Sequence, residues 1–172
     1  MNAGMLILRI VIGGTVMLHG AQKVFGAFGG PGMNGTHSMV ERLGLRPARP
    51  LAALLALTEL VGGLLLAFGF LTPLAAAGVA GVMLSATRVV HWPNGFFATD
   101  GGFELPLALG GAAIAIAFIG PARFSLDNAF GWHLYGNSWG VAAALIALAS
   151  GVVIVALGHR LVFQRHRGPL PA

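Results

Sequence analysis

The stretch "MLILRIVIGGTVMLHGAQKV", residues 5–24, decides the fold. It is apolar almost throughout, is interrupted by Arg9, and closes on His19 and on Lys23, the only lysine in the chain. A helix of that length covers about 30 Å, the thickness of bilayer hydrocarbon. The composition points the same way. Of 172 residues 56% are hydrophobic and only 9% charged, against the roughly 25% charged residues of a soluble domain. Mean hydropathy is +0.83. Such a chain has too little solvated surface for water, and a lipid bilayer is the partner it implies.

Further spans follow the first. Runs near Met5–Phe25, Leu51–Phe70, Pro73–Trp92, Phe103–Ile119 and Trp139–Gly158 are each read as a transmembrane helix. Turn signals separate them: "GAFGGPGMNG", "RPARP", "FLTP", "HWPNG" with "TDGG", and "GPARFSLDNAFG". In the long first loop Ser38 and Glu41 have capping-box spacing ahead of "RLGL", which predicts a short interfacial helix. Met1 to Leu8 lacks the basic start of a cleavable signal, so the first span is expected to be retained. The fold class is therefore all-α, a polytopic transmembrane bundle.

Charge orients the bundle and excludes some functions. The Lys23 end, Arg42, Arg46, Arg49, Arg88 and the tail with Arg160, Arg165 and Arg167 share one side, and Arg9 and Arg123 the other. Positive residues mark the cytoplasmic face, so the N-terminus is expected outside and the C-terminus in the cytoplasm. The net charge of +5 reads as topology and predicts no nucleic-acid partner. With no cysteine, thiolate metal sites and disulfide exchange are excluded within this chain. "GGPGMNG" lacks the Lys-Ser/Thr ending of a phosphate loop, and no metal site is expected. His37, His133, His159 and His166 lie in loop or tail, and His19 with His91 shows no evident axial arrangement for haem.

The polar residues inside the spans are the candidate site. By helix rise, Glu59 lies about 12 Å into the second span and His19 about 9 Å from the end of the first, at matching depth. Lys23, Arg88, His91 and Glu104 lie shallower on the same side. An ionised group in hydrocarbon costs about 2.5–3.5 kcal/mol on insertion scales and usually faces a cavity or the bundle interior. His19, Lys23, Glu59, Arg88 and Glu104 are accordingly read as ligand-binding, and no catalytic residue is assigned. At the opposite end Arg9 and Asp127 are expected to form a structural ion pair. "VMLHGAQKV" (residues 16–24) is echoed by "VMLSATRVV" (residues 82–90), and "ELVGGLLL" (59–66) loosely by "ELPLALGG" (104–111), as two parallel helical hairpins would give.

The order of features resembles the DoxX family of small bacterial membrane proteins. The resemblance rests on "RIVIGGTVMLHGAQKVFG", "ELVGGLLLAFGFLTPLAA", "GGFELPLALGGAAIA" and "GPARFSLD" and covers roughly residues 5 to 127. It places His19, Gly20, Lys23, Glu59, Glu104 and Ser125 to Asp127 at matching positions. It implies a DoxX-like four-helix membrane domain over residues 1–127. Residues 128–172 would add an outer connection, a fifth transmembrane helix and a basic cytoplasmic tail. Founding members are subunits of a thiosulfate–quinone oxidoreductase, and mycobacterial relatives are linked to an assembly with superoxide dismutase and a sulfurtransferase. The resemblance thus implies a plasma-membrane subunit of a redox-linked assembly with a redox-enzyme or respiratory-complex partner, binding quinone or a similar small molecule in its polar pocket. The alternatives are a scaffold that recruits a soluble partner through its arginine-rich face, or a small transporter.

Overall fold

The computed structural model describes the backbone of residues 2–165 and the side chains of residues 2–156. Arg160, Arg165, Arg167, His159 and His166, on which part of the charge count rests, lie outside the described side chains. The elements are α1 (Asn2–Phe25), α2 (Gly32–Arg42), α3 (Ala48–Phe68), α4 (Thr72–Asn94), α5 (Glu104–Ile119), the single turn α6 (Leu126–Ala129) and α7 (Asn137–Arg165). No strand occurs among the described residues. Four of these helices, α1, α3, α4 and α7, are long and apolar enough to cross a membrane. At 16 residues α5 is shorter, about 24 Å of helix by its rise. The fold class expected from sequence is the observed one.

The bundle is built around α4. Its sequence "TPLAAAGVAGVMLSA" is small and apolar on every side, so neighbours can approach it all round. It packs against α5, α7 and α3, while α1 lies along α3. The fully buried core is made of Val16, Leu66, Ala76, Val79, Ala113 and Ile116. Large apolar side chains instead point outward: Ile7, Ile10, Leu54, Val61, Leu74, Leu145 and Val152 are all exposed. An apolar exterior around a small-residue interior is the pattern of a protein dissolved in lipid. Glycine makes the α1–α3 contact close enough. A Cβ on Gly13 would meet Gly63 O at 2.5 Å and Ala67 N at 2.6 Å.

Helix α2 lies across one end of the bundle, which we call the Lys23 end. Thr36 Oγ1 donates to Lys23 O at 3.2 Å, and Val40 and Leu45 pack on Leu51, Ala52 and Ile154. A short helix is therefore present in this loop, but it ends at Arg42, where "RLGL" begins, and the capping box is not made. The helix already begins at Gly32, so Ser38 lies in its middle, donating to Asn34 O at 3.1 Å. Glu41 instead pairs with Arg46 at 3.0 Å.

At the opposite end Asp127 caps α4. Leu71 N–H donates to its Oδ1 at 2.7 Å, and Thr72 N–H and Oγ1–H donate to its Oδ2 at 3.0 and 2.6 Å. The carboxylate thus satisfies the orphan donors of a helix N-terminus, where negative charge is favoured. The expected ion pair of Arg9 with Asp127 is not made. Both side chains are fully buried, but Arg9 donates from Nη2 to Phe124 O, and the only ion pairs among the described residues lie elsewhere. Asp127 is already committed to the α4 terminus, so the guanidinium is held by main chain of the same connection. Gly69 makes room for it: in a left-handed backbone conformation (φ 63°), its Cβ would stand 2.9 Å from Arg9 Cζ and 2.7 Å from Ser125 Cβ.

Candidate functional site: a buried ion pair between two chambers

Two helices place the central pair. Lys23 is in the last turn of α1, and Glu59 lies in a π-helical turn, Thr58–Gly62, within α3. Gly20 allows the α1 backbone to rest directly on this turn, which explains the spacing of "HGAQK". Lys23 Nζ donates to both Oε1 and Oε2 of Glu59. The Glu59 side chain is only 3% exposed and that of Lys23 25% exposed. A π-turn inserts one residue per turn, widens the helix locally, and is frequent at functional sites. A second one, Thr87–His91, ends the regular part of α4 opposite the first.

A chamber lies on each side of this pair. The first, about 200 Å³, is roofed by α2 and lined by Met39, Val40, Leu43, Leu55, Ser85 and Val89. The second, about 220 Å³, is bounded by α5 and its preceding loop and lined by His19, Met83, Gly101, Leu105, Pro106 and Leu109. Lys23, Glu59, Ala86 and His91 belong to both. The common wall between two mostly apolar spaces is therefore a salt bridge with a histidine beside it.

The available hydrogen-bond capacity can be counted. An ammonium has three donors, of which two are used on Glu59, so one remains. His91 Nδ1 lies 2.7 Å from Gly101 O. A carbonyl only accepts, so Nδ1 carries the proton committed to Gly101, and Nε2 is the ring nitrogen left free, an acceptor whenever it is unprotonated. The site thus offers a cationic donor, a carboxylate with spare lone pairs and an imidazole acceptor. A small molecule with a carbonyl and a hydroxyl could use all three. Among the described residues no three His, Asp or Glu side chains converge as a metal site would require.

The residues expected here separate into two groups. Lys23 and Glu59 meet, and His19 reaches the rim of the second chamber, where it is exposed and makes no hydrogen bond to any described residue. Arg88 is exposed and lines neither chamber. Glu104 is exposed too, and its Oε2 accepts from Ala98 N–H at 2.9 Å. It organises the loop before α5 instead of facing the pair. Thr36 and Ser85 were not singled out, yet both line the first chamber. Ser85 had a signal: it stands in "VMLSATRVV" where His19 stands in "VMLHGAQKV".

The fold and site define the class: a multi-pass helical membrane protein with a buried ion pair at the edge of two chambers. The DoxX family model matches residues 4–92, which span α1 through the second π-turn, and the chain belongs to the DoxX family. That match includes His19, Lys23, Glu59 and His91. No curated protein and no solved structure matches the chain.

Proposed function

We propose that this chain is a plasma-membrane subunit of a redox-linked assembly and that the Lys23–Glu59 pair binds the head of a quinone. The single observation behind this reading is a buried ion pair that forms a wall of two chambers while keeping one donor unused. The free Lys23 N–H donates to a quinone carbonyl, and His91 Nε2 or Glu59 accepts from the hydroxyl of the reduced form. Each chamber is smaller than the about 300 Å³ at which drug-sized sites begin, which suits a single ring and not a whole lipid. The arginines of the Lys23 end support a cytoplasmic location for it, with the N-terminus outside.

A second reading has its own observation. His37, Arg46 and Arg49 surround a broad, open basic depression beside α2. Such a surface suits recruitment of an acidic soluble partner, and it is compatible with a quinone site in the same molecule.

Titration of a tail-free benzoquinone into nanodisc-embedded protein tests the first reading. Saturable binding that Glu59→Gln weakens by about ten-fold, equivalent to about 1.4 kcal/mol, is expected. Equal binding to Glu59→Gln and to the parent protein would overturn it.

A further inference from the structure

The second chamber borders a further apolar space. Two of its lining residues, Met83 of α4 and Pro106 of α5, also line a separate groove of about 370 Å³ between α4, α5 and α7. The first chamber shares no residue with that groove.

Small residues are the reason this groove exists. On α5 "LGGAA" puts Gly110 and Gly111 side by side, and α7 contributes Ala144 and Ala147. Nothing lies within 4 Å of the position a Cβ on Gly111 would take, so α5 leaves real space there. Apart from Thr87, the remaining walls are apolar side chains such as Leu107 and Leu148. From Pro106 to Ile114 the groove follows α5 for about 12 Å.

Resting on the quinone reading above, we infer that chamber and groove form one continuous site for a ring with a linear apolar tail. The ring occupies the chamber lined by His19 and His91, and the tail leaves past Met83 and Pro106 to lie between α5 and α7. Three observations select this occupant over bulk lipid. The chamber has room for a ring and none for its tail, only Met83 and Pro106 stand between it and this groove as shared walls, and the groove's surface carries almost no polar atom. The same observations choose between the two chambers, because only the second adjoins a tail path.

Two probes test this in nanodiscs: a dimethoxy-methyl-benzoquinone without a tail, and the same ring with a decyl tail ending in a diazirine. On the unmodified protein, photolysis should label the α5 and α7 segments that carry Ile114 and Ala144. Gly111→Phe, which fills the groove without a clash at Cβ, should weaken the tailed probe about ten-fold, or about 1.4 kcal/mol, and leave the tail-free ring unchanged. Labelling of α1 or α2 instead, or a Gly111→Phe protein that binds the tailed probe as the parent does, would overturn the groove while leaving the ring site standing. Absence of saturable binding by either probe would overturn the ring site, and the groove proposal with it. The labelling arm needs no substitution, so the inference is exposed to disproof even if Gly111→Phe does not fold.

Discussion

Gly20 of α1 sits against the main chain of Leu60 in α3, with a would-be Cβ 2.5 Å from Leu60 Cα and 2.8 Å from Glu59 C. No side chain can rotate aside there, because the obstacle is backbone. This contact brings the end of α1 down onto the π-turn and so lets Lys23 reach Glu59. Gly20→Ala should therefore destabilise the detergent-solubilised protein by about 3 kcal/mol, the upper end of the overpacking range. Gly14→Ala is the control: nothing lies within 4 Å of that position, and its effect should stay within about 0.5 kcal/mol. Thermal unfolding of both variants checks the contrast, and equal shifts would show that the α1–α3 approach is looser than described.

A structural and a ligand-binding role for the ion pair make different predictions. Glu59→Leu leaves the Lys23 ammonium without its counter-charge, and breaking a buried pair costs about 3–5 kcal/mol. Partial exposure of Lys23 puts the expectation at the lower end. Replacing both partners, Lys23→Met with Glu59→Leu, should restore most of that stability, because apolar pairs often substitute for buried ions. Quinone binding should nevertheless be lost in the double variant. Recovery of stability together with binding would show that the charges are not what holds the ligand.

The cap on α4 yields a third test. Thr72 and Asp127 share a short hydrogen bond inside a fully buried cluster. Thr72→Val and Asp127→Asn should each lower the unfolding temperature, and the double change should cost less than their sum by about 1 kcal/mol, as directly bonded neighbours do. Additive effects would mean that the cap is not formed.

The spans were legible because hydropathy and length alone decide them in a bilayer. The Lys23–Glu59 meeting was legible as well, since helix rise fixes depth and both residues are near the same end. What depth cannot give is direction around the helix. His19 and Lys23 are four residues apart and differ by about 40° in azimuth. That is enough to leave His19 at a chamber rim while the longer lysine swings to Glu59. Arg88 and Glu104 were placed at the right end and on the wrong surface for the same reason. Arg9 and Asp127 were rightly brought together, but charge complementarity could not foresee that the α4 N-terminus would take the carboxylate first.

The shortness of α5 makes its crossing of the bilayer the weakest part of the topology, and the chain has no cysteine to compete with an introduced one. Ser38, on α2, and His133, in the connection before α7, are both exposed. Three helices, α3, α4 and α5, separate them along the chain. If each crosses the bilayer, the two positions lie on opposite sides. With the arginine-rich end in the cytoplasm, His133→Cys should react with a membrane-impermeant maleimide in intact cells, and Ser38→Cys only after permeabilisation. The reverse pattern would invert the orientation without touching the fold. Labelling of both from one side would be a deeper failure, because it would mean that α5, about 24 Å long, does not span the membrane.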